Sequence, residues 1–247
     1  MLRLVSVSLF VALASIAAAA SPPIPAVERE KMLGEFTAQI GVLNRSIENA
    51  PGDPALYSRR GDRRLFLGRF AEAVDDFEKM IALNPALDAP HWRLGIAYHF
   101  AGQWAKSAKQ FEKYHAYDGR DRENGIWKFL ADVKTNGLEA AQRSMLPYTR
   151  FDREPFPSLY DMFAGAKSTD DVFGGITERK LTADGAVMFF ANYYGGLNEE
   201  IHGRRAKALA LLREAVSSEW GRSAEGGPAY MWQVARLHYE SLAETKP

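Results

Sequence analysis

The chain of 247 residues contains no cysteine. This absence excludes disulfide bonds, thiolate metal sites, cysteine nucleophiles and cysteine-bound iron–sulfur clusters. It also excludes the thiol that carries the lipid of a bacterial lipoprotein. An excess of charge of one sign is lacking as well, because 31 basic side chains balance 31 acidic ones. Phosphate recognition needs a surplus of Lys and Arg, so we expect no nucleic-acid partner.

An apolar run of spanning length occurs only once, at the N-terminus. Arg3 precedes an uncharged stretch, and the small residues Ala18 to Ala20 end it. This order is typical of a secretory signal peptide. We therefore predict a signal peptide at residues 1–20 and a mature chain secreted to the periplasm, with no stable membrane insertion after cleavage. The alternative is an uncleaved membrane tether, because the run borders on the roughly 17–25 apolar residues that span a bilayer.

Two segments of the chain match each other at an offset of 34 residues. A repeat of this length is typical of a pair of helices that stacks on neighbouring pairs. The best copies cover residues 54–87 and 88–121. The aligned pairs are Tyr57–Gly61 with His91–Gly95, Phe77 with Phe111, and Pro51 with Pro85.

The residue types in the repeat suit a helix–turn–helix unit. Gly61 and Gly95 are small where the first helix of each pair crosses the second, and Gly68 and Gly102 break the chain between the helices. Apolar residues recur on one helical face and predict the packed core. The repeat-defining core positions are Tyr57, Gly61, Ala73, Phe77, Pro85, Leu94, Gly95, Tyr98 and Phe111.

The pattern continues in degraded form after residue 121. Trp127 marks a further first helix, prolines interrupt the chain between residues 147 and 157, and Ser168 to Asp171 form a capping-box-like helix start. A later pair has Ala191 in the glycine position and a turn lengthened over residues 198–205. A capping helix is predicted over 230–242.

These patterns predict an all-α solenoid of about ten to eleven helices. Residues 21–145 form the N-terminal repeats, and residues 146–247 form degenerate repeat-like helices and the capping helix. No strand-like alternation persists long enough to indicate a sheet.

The repeat resembles the tetratricopeptide repeat (TPR), in which Leu-Gly, Tyr, Ala, Phe and Pro occupy fixed places. The order of later segments, including 126–130, 159–165 and 230–236, is similar to that of the NlpI-like family of bacterial envelope proteins. That resemblance implies an adaptor that scaffolds envelope proteases and peptidoglycan hydrolases. The chain departs from the family at Ser21, because NlpI itself has a lipid-bearing cysteine after its signal peptide. Outer-membrane anchoring is therefore not implied.

Motifs for catalysis, metal binding and phosphate binding are lacking. The five histidines do not form a His-Glu-x-x-His pattern, and neither a Gly-x-Ser-x-Gly elbow nor a phosphate-binding loop is present. We expect no catalytic residues, no metal and no cofactor. The alternative is an envelope hydrolase with its site in residues 151–194, which would require acidic or His side chains to converge there in one pocket.

What remains is a binding surface on the concave side of the solenoid, where first helices present their outward positions. We expect a peptide or helix of another envelope protein to bind there. Trp92 is either an anchor for that partner or part of the core, and self-association into a homodimer through the terminal helices is a further possibility. The predicted groove residues are Ser58, Asp62, Phe66, Trp92, Ile96, His99, Lys128 and Asp132.

Overall fold

The computed structural model describes residues 22–245, and the regular structure in that range is entirely helical. The predicted all-α class is confirmed, with thirteen α-helices in this range rather than ten to eleven. The predicted signal peptide lies outside the described residues. None of the helices described is long and apolar enough to cross a membrane. The helices are α1 (Ala26–Asn49), α2 (Pro54–Phe66), α3 (Phe70–Leu83), α4 (Trp92–Phe100), α5 (Trp104–Tyr117), α6 (Arg122–Asn136), α7 (Leu138–Arg143), α8 (Phe156–Phe163), α9 (Thr169–Glu178), α10 (Gly185–Ile201), α11 (Arg205–Ser217), α12 (Glu219–Ser223) and α13 (Gly226–Glu244), with a 3-10 turn at Pro85–Leu87.

The repeat glycines lie where α2 crosses α3 and where α4 crosses α5. A Cβ atom on Gly61 would come within 2.7 Å of the Phe77 ring, and one on Gly95 within 2.6 Å of the Phe111 ring. Both rings are fully buried. The missing side chains therefore allow each pair of helices to approach closely. Of the other repeat-defining residues, all are buried except Pro85, which is exposed at the start of the 3-10 turn.

The pair α10–α11 has the same kind of crossing at a different residue from the predicted one. Gly196, and not Ala191, lies at the crossing, where an added Cβ would meet Leu212 at 2.7 Å. Helix α10 continues to Ile201, so only residues 202–204 connect it to α11. The predicted long turn over 198–205 is wrong, because the chain stays helical for one more turn.

The same short turn joins α2 to α3, α4 to α5 and α10 to α11. Gly68, Gly102 and Gly203 have φ angles of 75°, 71° and 73°, a conformation that glycine adopts without strain. In the first turn the Gly68 N–H donates to the Leu65 carbonyl at 2.9 Å, and the third turn has the equivalent bond from Gly203 to Glu200 at 2.9 Å. One turn geometry therefore recurs in three helix pairs.

The N-terminal helices pack in chain order, and the later ones return to them. Each helix from α1 to α6 packs on its successor, whereas α8 packs on α6 and α13 packs on α11, α12 and α2. Residues 144–155 between α7 and α8 are not helical. The backbone N–H of Arg122 donates to Asp152 Oδ2 in this connector at 2.8 Å. The capping box of Ser168 and Asp171 is confirmed at the start of α9.

The C-terminal helix α13 contains the segment predicted as a capping helix and lies across the first helices. The Tyr230 ring lies 5.0 Å from that of Phe66 in α2 and 4.9 Å from that of Trp92 in α4. Two turns further on, the His238 ring lies 4.6 Å from that of Phe100. Helix α13 therefore covers part of the face that the sequence assigns to the partner groove.

Candidate functional site

Phe66 and Trp92 pack against α13. The carbonyl of Phe66 accepts a hydrogen bond from Arg236 Nη2 at 2.5 Å, and Arg236 is only 1% exposed. Trp92 is half-buried, so it contributes both to this packing and to the surface beside it. Ser58 is also half-buried and lies at the opening between α2 and α4.

The Asp62 carboxylate forms a salt bridge with another residue of the chain. Its Oδ2 accepts a hydrogen bond from Arg93 Nη1 at 2.9 Å. Burial raises the pKa of the Asp62 carboxyl to about 6, and the charge of Arg93 opposes the increase. The Arg93 guanidinium also lies over the Trp92 and Tyr230 rings, at 5.3 and 5.2 Å from their centres. This pair therefore joins α2 and α4 beneath the start of α13.

Ile96 lies in the interior, whereas His99 is half-buried between α6 and α13. Ile96 has no exposed surface. The His99 ring is edge-on to that of Trp127 at 5.4 Å and lies 6.2 Å from that of His238. Burial lowers the pKa of the His99 imidazole to about 4, and the charge of Lys134 adds to this effect. His99 is therefore a neutral residue near neutral pH.

Lys128 and Asp132 do not face the predicted partner groove. They lie on the side of α6 that packs on α5 and α7. The Lys128 ammonium donates to Asp132 Oδ2 at 2.6 Å and to the Ser144 carbonyl at 3.2 Å, and it lies 3.5 Å from Glu112 of α5. Both side chains are buried. The pair therefore joins α6 to α5 and to the end of α7.

An open cavity lies between α4, α6, α10 and the start of α13. Its volume is about 280 Å³. We call it the α6 cavity, because α6 contributes Glu123, Asn124 and Trp127 to its lining. Its lining residues are Trp92, Asp121, Glu123, Asn124, Trp127, Arg153, Phe190, Gly227, Pro228 and Met231.

Glu123 is the most buried acid of the α6 cavity, at 9% exposure. Its Oε1 accepts a hydrogen bond from the Tyr194 hydroxyl at 2.7 Å, and its Oε2 accepts one from Arg153 Nη2 at 2.5 Å. The Trp127 indole N–H in turn donates to the Tyr194 hydroxyl at 3.1 Å. Burial raises the pKa of Glu123 to about 7, and Arg153 opposes this increase. The carboxyl group can therefore gain or lose a proton near neutral pH.

Two further carboxylates lie beside Glu123. Asp121 caps α6 by accepting the Glu123 backbone N–H at 3.1 Å, and its pKa is raised by burial. Asp121 Oδ1 lies 3.5 Å from Arg153 Nη1, and Asp152 Oδ1 lies 3.4 Å from the same nitrogen. One guanidinium therefore pairs with all three acids.

Asn124 lines the α6 cavity without a partner of its own. The residue is 5% exposed, and its side-chain amide makes no hydrogen bond to any residue in the range 22–245. Its amide atoms are not sealed from solvent and reach the open space of the cavity. The amide of Asn124 is therefore available to a molecule that enters the cavity.

Within residues 22–245 no group of three or more His, Asp or Glu side chains is placed to hold a metal ion.

The sequence patterns did not single out Asp121, Glu123 or Asn124. The available signal was the spacing of Glu123 and Trp127, which are four residues apart and share a face of one helix. Their partners Arg153 and Tyr194 are 30 and 71 residues away from Glu123 along the chain, so only tertiary packing brings them together.

No family model and no curated protein matches this chain. Over residues 22–245 the structure by itself defines the general class, an all-helical fold with recurring helix-pair crossings and a cavity of acidic and apolar side chains beside α13.

Proposed function

We propose that this chain is a non-catalytic adaptor of the bacterial cell envelope, built as a TPR solenoid of the NlpI-like kind and secreted to the periplasm. It binds a segment of another envelope protein in the α6 cavity and requires no cofactor. The observation that carries this proposal is the unpartnered amide of Asn124 in a cavity with apolar walls.

The recurring helix-pair geometry supports the TPR assignment. The glycine-to-aromatic contacts of Gly61 with Phe77 and Gly95 with Phe111 have the same spacing of 16 residues in both pairs. The connecting turns also share their glycine conformation. Proteins built from such repeats commonly use the concave side for binding.

The position of α13 restricts where the partner can bind. Tyr230 and Arg236 already occupy the part of the concave side formed by α2 and the start of α4. The α6 cavity, at about 280 Å³, has room for one or two side chains and no room for a whole helix. A short segment of the partner therefore fits the open part best.

Site-specific photo-crosslinking tests the proposal. Gly227 lines the α6 cavity, and a Cβ added there would meet no atom within 4 Å. A benzoylphenylalanine at position 227 of the mature chain, irradiated in an envelope extract, should give discrete adducts whose partner is identified by mass spectrometry. Combining it with Asn124→Ala should weaken those adducts.

Gly34 provides the matched control, because it is exposed on α1 and its surroundings are equally open. The same cross-linker at position 34 should not produce the adducts seen from position 227. Identical adducts from both positions, or none from position 227, would contradict binding in the cavity.

One observation favours a second candidate, the envelope hydrolase. Arg153 and Phe190, both from the predicted segment 151–194, line one cavity with Glu123, and Tyr194 of the same segment donates a hydrogen bond to Glu123. A carboxyl with a pKa of about 7 suits general acid–base catalysis. Both Glu123 oxygens are already hydrogen-bonded within the protein, however, which favours the adaptor.

Incubation with purified peptidoglycan and with unfolded protein separates the two candidates. An adaptor should release no soluble fragments from either substrate. Release by the wild-type chain that Glu123→Gln abolishes would favour the hydrolase.

A further inference from the structure

We propose that the α6 cavity recognises a cationic side chain of the bound segment, with the guanidinium of arginine as the preferred group. This inference rests on the function proposed above and adds the chemistry of the recognised residue. Charge, a free hydrogen-bonding group and the shape of the cavity support it independently.

The charge around the α6 cavity is negative. Among the described residues that surround it, the carboxylates of Asp121, Glu123 and Asp152 are paired with the single guanidinium of Arg153. The neighbouring Arg122 side chain donates away from the cavity, to the Arg150 carbonyl at 2.7 Å. An anionic ligand would therefore meet repulsion, and a cationic ligand would meet attraction.

Arg153 shows that this environment accepts a guanidinium. Its Cζ lies 4.2 Å from the centre of the Phe156 ring and 5.7 Å from that of Phe190, while Nη2 bonds to Glu123. Aromatic faces next to carboxylates are the usual surroundings of an arginine side chain in a protein interior. Phe190 also lines the cavity, so a second cation can use the same kind of contact.

Asn124 supplies the free hydrogen-bonding group. Its side-chain oxygen can accept an N–H from a guanidinium or ammonium, and no described residue competes for it. Asp121 presents a second acceptor, because its Oδ1 is bound to Glu123 and Arg153 while no hydrogen bond within the described range uses Oδ2. A planar guanidinium can bond to two acceptors at once, which favours arginine over lysine.

The remaining walls are apolar and suit an aliphatic stem. Trp92, Pro228 and Met231 line the side formed by α4 and α13. Long cationic side chains bury their methylene groups against such surfaces and keep the charged end with polar partners. The volume of about 280 Å³ admits one such side chain with part of its neighbour.

The test measures binding of short blocked peptides to the mature chain, residues 21–247, by titration calorimetry. The probes are Ac-Ala-Arg-Ala-NH2 and the same peptide with citrulline, which keeps the shape of arginine and lacks its charge. The arginine peptide should bind about tenfold more tightly or better, since a charge-assisted hydrogen bond contributes that much. A lysine peptide should fall between the two.

Three variants test which side chains cause the preference for the arginine peptide. Asp121→Asn keeps a good helix cap while removing a charge, and Glu123→Gln keeps the shape of the buried side chain. Each should weaken binding of the arginine peptide about tenfold without changing that of the citrulline peptide. Glu139→Gln is the control, because Glu139 is 89% exposed on α7, and it should leave both affinities unchanged.

Proton release on binding provides a readout that a purely structural role would not change. A bound cation favours ionised Glu123, so affinity for the arginine peptide should rise between pH 6 and pH 8, and Glu123→Gln should flatten this rise. The charged or titratable groups that interact with Glu123 are Asp121, Asp152, Arg153, Tyr193 and Tyr194; α4 and α13 contribute none to the cavity.

Equal affinity for the arginine and citrulline peptides would overturn the inference, as would the absence of binding by both. If position 227 still cross-links to a partner in either case, the adaptor function stands and only the arginine preference fails. If no adduct forms either, both proposals fail.

Discussion

At the scale of single residues, the space around a glycine differs from one helix position to another. An added Cβ on Gly95 would lie 2.6 Å from the buried Phe111 ring, whereas one on Gly34 in α1 would meet no atom within 4 Å. The difference arises from helix crossing, because only Gly95 faces a second helix.

We expect Gly95→Ala to lower the free energy of unfolding by about 1–3 kcal/mol, the usual cost of forcing an atom into a packed core. Gly34→Ala should raise it by about 0.5–1 kcal/mol, since alanine favours an exposed helix. Urea denaturation followed by circular dichroism measures both. Equal effects of the two substitutions would contradict the close crossing.

The role of Gly95 could be predicted from sequence because the 34-residue repeat identifies its place. The role of Glu123 could not, because its hydrogen-bonding partners come from the connector and from α10. No local pattern in α6 specifies those contacts. A sequence repeat identifies core positions because it recurs at a fixed spacing. A cavity formed where distant segments meet has no such spacing in the sequence.

At the scale of elements, α13 covers part of the surface that the sequence assigns to the partner groove. The sequence predicts a helix in this region from its apolar spacing, but the position of the helix depends on the faces of α2 and α4 that receive it. Arg236 is the main polar link. It donates to the Phe66 carbonyl at 2.5 Å, to Gln233 Oε1 at 2.9 Å and to Glu240 Oε2 at 2.7 Å.

Arg236→Ala should cost about 3 kcal/mol of stability, because it leaves buried acceptors unsatisfied. Hydrogen exchange should show that the substitution accelerates amide exchange in α13 more than in α3 or α5. Arg143→Ala is the control, because Arg143 is 73% exposed on α7, and its effect should stay within about 0.5 kcal/mol. Unchanged protection of α13 in Arg236→Ala would show that apolar packing alone holds the helix.

At the scale of the whole molecule, a formally neutral chain buries several titratable groups. Burial raises the pKa of Asp62 to about 6 and that of Glu123 to about 7, and it lowers the pKa of His91 and His99 to about 4. The acids favour folding below their unfolded pKa and lose this contribution as the pH rises. The histidines favour folding above their unfolded pKa and lose it as the pH falls.

The difference in stability between Glu123→Gln and the wild-type chain isolates one of these groups. The variant should gain relative to the wild type as the pH rises from 4.5 to 7, by at most about 3 kcal/mol, because only the wild type must ionise a buried carboxyl. Urea denaturation across this range measures the difference. A difference that stays constant with pH in Glu123→Gln would contradict the raised pKa.

The sequence by itself determined the helical class, the period of the first two repeats and the residues that close their crossings, since each follows from local spacing and side-chain size. Only the tertiary structure decided that α13 packs against Phe66 and Trp92, that Lys128 and Asp132 face α5 and α7, and that the acids of α6 meet Arg153 and Tyr194. The physical reason is the range of the interactions. Helix formation and pairwise crossing involve neighbours in the chain, whereas the cavity depends on which buried surfaces fit together across long separations.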